Sequence, residues 1–562
     1  TGTNTTNAWT ITADNTSSLN NGSTTFTLNS FENLTGGSGN DTFTFNGAFQ
    51  ITGAIDGSTG TNTIIGPNVN NAWAVTSTDT GSITPTGAGG ATSFSNIGNL
   101  TGGSSNDTFT LSDGVGVSGA IDGTSSTGNS LSYAAYTTSV SVNLQTGAAT
   151  NITGGVSNIQ TFTGGSNADT ITGTNTTNAW TITADDTSSL NNGSTTFTLN
   201  SFENLTGGTG NDTFIFNGAF QITGAIDGST GSNTINGPNV NNIWAVTSQT
   251  TGTLTPTGAS GTTNYSNIGS LVGNASDDTF NLSPDITLPS IAAGAGTDTL
   301  NFLVGWTTPA SINLNTVAGF EVINGPPGLD NTLVGNNLDN TWTITAADAG
   351  TLENTDYPLP TVFTFSNFPN ITGGSANDTF DFTAGFTVTS IDGSTGSNTL
   401  LAPNAVNTWN ITDDNTGSVA SISFANITDL TGGTLSDTFV FANQKGVTGQ
   451  VDGGAPASLN TLDYSAFSPA AIVVMLTSTS GTASNLGSGY INIGNIIGNI
   501  TSGAAIATSV QQKSNFYFAN LQLLFTELYH CRLIPEFFYR QFEKMKYVQE
   551  PQERIQIRRK NK

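Results

Sequence analysis

One Cys, one His and eleven Lys plus Arg are scattered through 562 residues, and 38 Asp and Glu leave a formal net charge of -27. A single Cys excludes an intramolecular disulfide and leaves the redox compartment open. Too few cations are present to neutralise a phosphate backbone or to hold an anionic membrane surface, so nucleic-acid and lipid-headgroup binding are set aside. Lys445 is the only basic residue before Lys513, and His530 and Cys531 are neighbours near the C-terminal end. A Ser or Cys nucleophile with a His base therefore has no place in the body of the chain. The longest apolar run, Ala470 to Leu476, is far short of the roughly 18 residues that a spanning helix needs, so no membrane insertion by this chain is expected. The chain opens at Thr1 without a signal-like segment, which reads as a fragment of something longer.

What the sequence has in abundance is repetition. Residues 1 to 60 and 172 to 231 agree at 57 of 60 positions, the exceptions being Asn15/Asp186, Ser38/Thr209 and Thr44/Ile215, which fixes an internal duplication of 171 residues. A shorter unit recurs within it: Phe94-Ser-Asn-Ile with Asp107-Thr-Phe, Phe365-Ser-Asn-Phe with Asp378-Thr-Phe, and Phe424-Ala-Asn-Ile with Asp437-Thr-Phe. Self-similarity of this kind marks a solenoid, whose repeats bury their apolar faces only by stacking on one another. Segments such as Asp41-Thr-Phe-Thr-Phe45 and Trp9-Thr-Ile-Thr12 alternate apolar and polar residues with the period of a strand. The 68 Gly, with Asn and Ser, cluster between them as turn residues. From Asp41 to Asn62 is 21 residues and from Asp41 to Asp107 is 66, or three such turns. The expected fold is all-β: a right-handed parallel β-helix of about 21–22-residue coils over residues 1–505. Residues 511–562 are a basic, aromatic-rich, non-repeat tail, read as an amphipathic helix capping the solenoid, as the product of a truncated or shifted reading frame, or as a membrane-surface or partner helix.

Gly36-Gly-Ser-Gly-Asn-Asp41-Thr-Phe-Thr44 and Gly207-Gly-Thr-Gly-Asn-Asp212-Thr-Phe-Ile215 match the nonapeptide G-G-x-G-x-D-x-U-x. In that respect the chain resembles the RTX (repeat-in-toxin) β-roll, and the resemblance implies calcium at Asp41 and Asp212. Further Asn and Asp residues stand nine apart, among them Asn62 and Asn71, Asn233 and Asn242, and Asp169 and Asn178, like degenerate tandem partners. Asn in place of Asp gives up the charge that balances a divalent cation, and a hydrogen-bonded turn is the competing reading. The wider arrangement of Phe-x-Asn-Ile/Leu segments and Thr-Gly-Gly turns resembles large bacterial β-helical adhesins of the filamentous haemagglutinin and autotransporter-passenger kind. That resemblance implies a non-catalytic, secreted or cell-surface stalk with a host-surface glycan or protein as ligand, and self-association along the solenoid.

Two other expectations concern chemistry. Trp9, Trp73, Trp180, Trp244, Trp342 and Trp409 share the context Asn-x-Trp-x-Ile/Val, and an apolar residue two positions on favours side chains that face the core over a sugar-stacking platform. No catalytic residues are expected. A calcium-stabilised RTX-type module is one alternative. A polysaccharide hydrolase built from carboxylates on stacked coils is the other, although Asp185-Asp186, Asp277-Asp278 and Asp413-Asp414 should point to opposite faces of their strands.

Overall fold

A computed structural model describes residues 1–317, 319–354 and 362–502. The tail from 511, and the helix expected in it, lie outside the described residues. Among the described residues one short 3-10 turn, Ala457–Leu459, is the only helical element, and the regular structure is otherwise β-strand. The chain is a β-solenoid, with successive coils joined by parallel ladders. It divides into two compact units, Thr1–Phe380 with Phe386–Gly396, and Asp381–Gly385 with the described residues from Ser397 onward.

The strands form for the reason that their alternation suggests. In Thr42–Phe45 and Thr108–Leu111 the apolar residues Phe43, Phe45, Phe109 and Leu111 are buried while the Thr between them point outward. In the first unit Thr42–Phe45 pairs in parallel with Thr63–Ile65, and Asn33–Thr35 with Ala54–Asp56, partners 21 residues apart. In the second unit Asp437–Phe441 lies between Asn407–Asp413 and Thr461–Tyr464 in the same manner, burying Phe439, Phe441 and Leu462.

Only some coils have the expected length. Others carry an antiparallel meander of three strands, and parallel partners across them stand 34 residues apart at Asn7 and Asp41 or 36 apart at Asn71 and Asp107. Ala8–Ala13, Thr16–Asn20 and Thr25–Asn29 form one meander, and Asn71–Ser77, Thr80–Pro85 and Thr92–Ser95 the next. Each of the six Trp of the shared context lies on the first strand of such a meander. The reversal is set locally. Asn15, Asp79, Asp186, Asp348 and Asn415 occupy the hairpin turns with φ between 50° and 56°, a left-handed conformation that Asn and Asp tolerate better than other non-Gly residues. The 66-residue interval from Asp41 to Asp107 is accordingly not three coils on one face, because Thr42–Phe45 and Thr108–Leu111 belong to different sheets.

Candidate functional site

The conserved chemistry of the repeat is a buried polar ladder. Asp41 starts the strand Thr42–Phe45 and is fully buried, so its carboxylate must find donors. It accepts the backbone N–H and the side-chain Nδ2 of Asn7 on one neighbouring coil, at 2.8 and 2.6 Å, and the N–H of Gly37 at 2.7 Å. Its own N–H donates to Asn62 Oδ1 at 2.9 Å, and Asn62 Nδ2 passes on to the Asn96 carbonyl at 3.0 Å. Asp212 repeats the arrangement with Asn178, Gly208 and Asn233. Asn71, Asp107 and Asn129 form another such ladder, as do Asn407, Asp437 and Asn460 in the second unit. Burial pushes the carboxyls of Asp212 and Asp437 up, against the hydrogen bonds that favour the charged form.

The same geometry explains the Gly-Gly pair that led to Asp41 and Asp212. A Cβ on the first glycine would meet the carboxylate itself, at 2.4 Å for Gly36 against Asp41 and 2.4 Å for Gly207 against Asp212. A Cβ on the second would meet a carbonyl of the adjoining coil, 1.7 Å from Thr3 O at Gly37 and 2.0 Å from Thr174 O at Gly208. The pair therefore keeps the neighbouring coil within reach of the ladder.

A calcium ion needs six to eight oxygen ligands. Here N–H donors already occupy both carboxylate oxygens of Asp41 and of Asp212, and among the described residues no group of three or more His, Cys, Asp or Glu could hold a metal. The donor set does not fit calcium. Asn62 receives the N–H of Asp41 whereas Asn71 donates to Asp107, so their nine-residue interval is the distance from one ladder to another.

The Trp residues face inward as their context suggests. All six are at most 2% exposed, and their i+2 partners Ile11, Val75, Ile182, Val246, Ile344 and Ile411 are buried with them. Each stacks on a Phe of the adjoining coil, from 5.2 Å between ring centres for Trp409 and Phe439 to 6.1 Å for Trp342 and Phe380. The adjacent carboxylates divide. Asp278 is buried and Asp277 exposed, as alternation requires. Asp413 and Asp414, in contrast, both approach Lys445, at 2.5 and 3.7 Å, because they sit at an irregular hairpin end and not within a regular ladder. Asp185 and Asp186 both cap the backbone of another coil, at Gln221 and Thr223.

The ladder through Asp278 departs furthest from the Asp–Asn pattern, and sequence reasoning missed it. Asn242, Asp278, Asp298 and Glu321 follow one another through Asn242 N–H to Asp278, Asp278 N–H to Asp298 and Asp298 N–H to Glu321, each 2.7 Å. Acids thus stand where the ladders of Asp41, Asp107, Asp212 and Asp437 place Asn, as Glu203 also does beside Asp169. The second glycine is also missing, replaced by Asn274 at φ 88°, and Asp278 Oδ2 has no hydrogen-bond partner, nor has Asp298 Oδ2. Burial, together with the charges of Asp298 and Asp277, pushes Asp278 up to about 7, and burial with the charges of Glu321 and Asp277 pushes Asp298 up to about 6. The signal was legible: Val-Gly-Asn-Ala-Ser-Asp-Asp in place of Thr-Gly-Gly and a single Asp.

A carboxyl whose folded pKa exceeds its unfolded value takes up a proton on folding. The linked stability is complete below the ordinary value of 3.8 and is lost as pH rises through about 6 to 7. Residues 270–325 should therefore open more readily at pH of about 8 than at about 5. Asp278→Asn should protect them at the higher pH by on the order of 1–2 kcal/mol and change little at the lower. Amide hydrogen exchange across Ser270–Asn324 at the two pH values reads the difference, and equal protection of the two proteins at both would refute the account.

No family model matches the chain, and no curated protein is similar to it.

Proposed function

We propose that the chain is a non-catalytic, adhesin-like stalk, secreted or held at a cell surface, which presents an acidic β-solenoid to a glycan or protein ligand. One observation carries the reading: the residues with distinctive chemistry are consumed inside the scaffold. The recurrent Asp and Asn bind backbone amides, the recurrent Trp stack in the core, and the outward positions of the strands carry Thr, Ser and Asn. Self-repulsion of the excess carboxylates keeps such a surface dispersed.

The test is retention of the full chain, coupled to beads, on host-cell surfaces and a glycan array, with and without EDTA, alongside incubation with a polysaccharide panel. Retention that survives EDTA, an unchanged melting temperature after chelation and no release of reducing sugar are the expected results. A melting temperature that falls with EDTA and returns with calcium would replace this reading with the calcium-stabilised module, since a ligand bound only by the folded state must stabilise it. Sugar release would replace it with the hydrolase.

A further inference from the structure

Within the first unit, the turn after Ser141–Asn143 stands beside the third strand of the next meander, Thr196–Asn200, and the two leave a half-open groove of about 320 Å3 between them. That volume is at the lower end of what small-ligand sites occupy, roughly 300–1,000 Å3. Ile159 and Phe162 line it from the core, and Phe197 adds a half-buried ring 6.5 Å from Phe162. The amides of Asn143, Gln145, Asn158 and Gln160 line the rest, and among the described residues no charged side chain joins them.

The scaffold uses one end of each amide. Gln160 Oε1 accepts the Asn129 N–H at 3.0 Å, Gln145 Oε1 accepts the Asn175 N–H at 2.8 Å, and Asn143 Oδ1 accepts the N–H groups of Gln145 and Thr146, both at 3.0 Å. Asn143 Nδ2, Gln145 Nε2 and Gln160 Nε2 are left as donors without a partner among the described residues. Asn158 is the reverse, its Nδ2 donating to Asp122 at 2.7 Å and its Oδ1 remaining as an acceptor. Another coil of the same build shows that these nitrogens are surplus to the fold. There Glu321 performs the task of Gln160, accepting the Asp298 N–H at 2.7 Å, and Glu203 does so for Asp169; the ladder needs only an oxygen. Asn315 accepts the Asn337 N–H at 3.0 Å as Gln145 accepts that of Asn175, but its Nδ2 is consumed by Asn313 Oδ1 at 2.9 Å and Gly335 O at 3.3 Å. Gln145 is one methylene longer and keeps its nitrogen free.

Three donors and one acceptor around an aromatic ring suit a ligand whose hydroxyls both donate and accept and whose C–H face is apolar, which describes a pyranose. An acidic sugar would find no countercharge, for Lys445, the only basic residue before Lys513, belongs to the second unit. We infer that this groove binds the uncharged end of an oligosaccharide, Phe197 stacking on a sugar ring and the amides of Asn143, Gln145, Asn158 and Gln160 bonding its hydroxyls. The inference rests on the stalk reading, to which it adds a ligand class and a site.

Binding of the full chain to an array of neutral, sialylated and uronic-acid-containing oligosaccharides tests it, with host cells as a second surface. The wild-type protein should be retained on a subset of the neutral glycans. Gln160→Glu keeps the oxygen that the ladder requires, as Glu203 and Glu321 do, and removes the donor; Gln145→Asn reproduces the turn at Asn315. Each should lower retention on those glycans by about tenfold or more, the worth of a hydrogen bond to the ligand, with an unchanged melting temperature by circular dichroism. Phe197→Leu, which keeps an apolar side chain and removes the ring, should do the same, so that two variants still decide the matter if one of the three melts early. Folded variants that bind as the wild type does would overturn the groove, and so would a preference for acidic glycans or retention on host cells with none on the array; the stalk reading survives all three. No retention on either surface would overturn both.

Discussion

Trp244→Ala should destabilise the first unit by roughly 3–5 kcal/mol, through lost transfer energy and the cavity left against Phe280. The indole is fully buried, stacks on Phe280 at 5.5 Å and 5°, and meets Tyr265 edge-on at 6.3 Å. Because a repeat array couples only nearest neighbours, the loss should show as local opening around residues 240–282 before global unfolding. Hydrogen exchange of those amides, with a urea titration of the same protein, measures both. Trp244→Phe is the control. The indole Nε1–H has no hydrogen-bond partner, so the smaller ring gives up packing but also removes a buried donor, and the cost should be well below that of Ala. Equal losses for the two variants would show that the stack is not what holds this coil. Ready quenching of most of the body's Trp fluorescence by acrylamide would contradict inward placement altogether.

Gly208→Ala should cost about 3 kcal/mol or more, an effect out of proportion to one methyl group. The new Cβ would stand 2.0 Å from the Thr174 carbonyl oxygen and 2.8 Å from its carbon. Both are backbone atoms of an adjoining coil, and no rotamer change can move them away. Relief requires the coils to part, which lengthens the 3.0 Å bond from Gly208 N–H to Asp212 and strands a buried carboxylate. Gly22→Ala makes the informative comparison, since nothing lies within 4 Å of its Cβ although φ is +87°, so it carries backbone strain alone, on the order of 1 kcal/mol. The difference between the two melting temperatures isolates the clash. If Gly208→Ala melts no lower than Gly22→Ala, the close approach of the coils is not required for stability.

Much of this was legible in the chain. Alternation identified Trp9-Thr-Ile11 and Phe43-Thr-Phe45 as half-buried strands because period 2 leaves no other arrangement of those side chains. The meander was harder to read. Its second and third strands are Thr- and Ser-rich segments such as Thr16–Asn20, whose polarity resembles that of a turn, and the 21-residue interval from Asp41 to Asn62 drew attention to the coils without one. The contrary sign lay seven residues from the N-terminus. Asn7 is 34 residues before the Asp41 it binds, a spacing no uniform coil accommodates. The nonapeptide pattern has a physical reason that is visible in the fold. Two glycines ahead of an Asp let backbone N–H groups approach a buried carboxylate closely, whether a metal or an amide completes the shell. Only the neighbouring coil, invisible in the linear motif, distinguishes the two.

The mixture of short coils and longer, meander-bearing coils gives the protein unequal increments of length under tension. A coil without a meander that peels from its neighbour frees 21 residues, roughly 70 Å of extended chain. One that includes a meander frees 36 in the case of Asn71 to Asp107, about 120 Å. Pulled from one end, such an array yields in shorter and longer steps, and a longer step ends where a Trp–Phe stack and an Asp–Asn ladder must break together. Work is thereby dissipated coil by coil, and the remaining rungs keep their register.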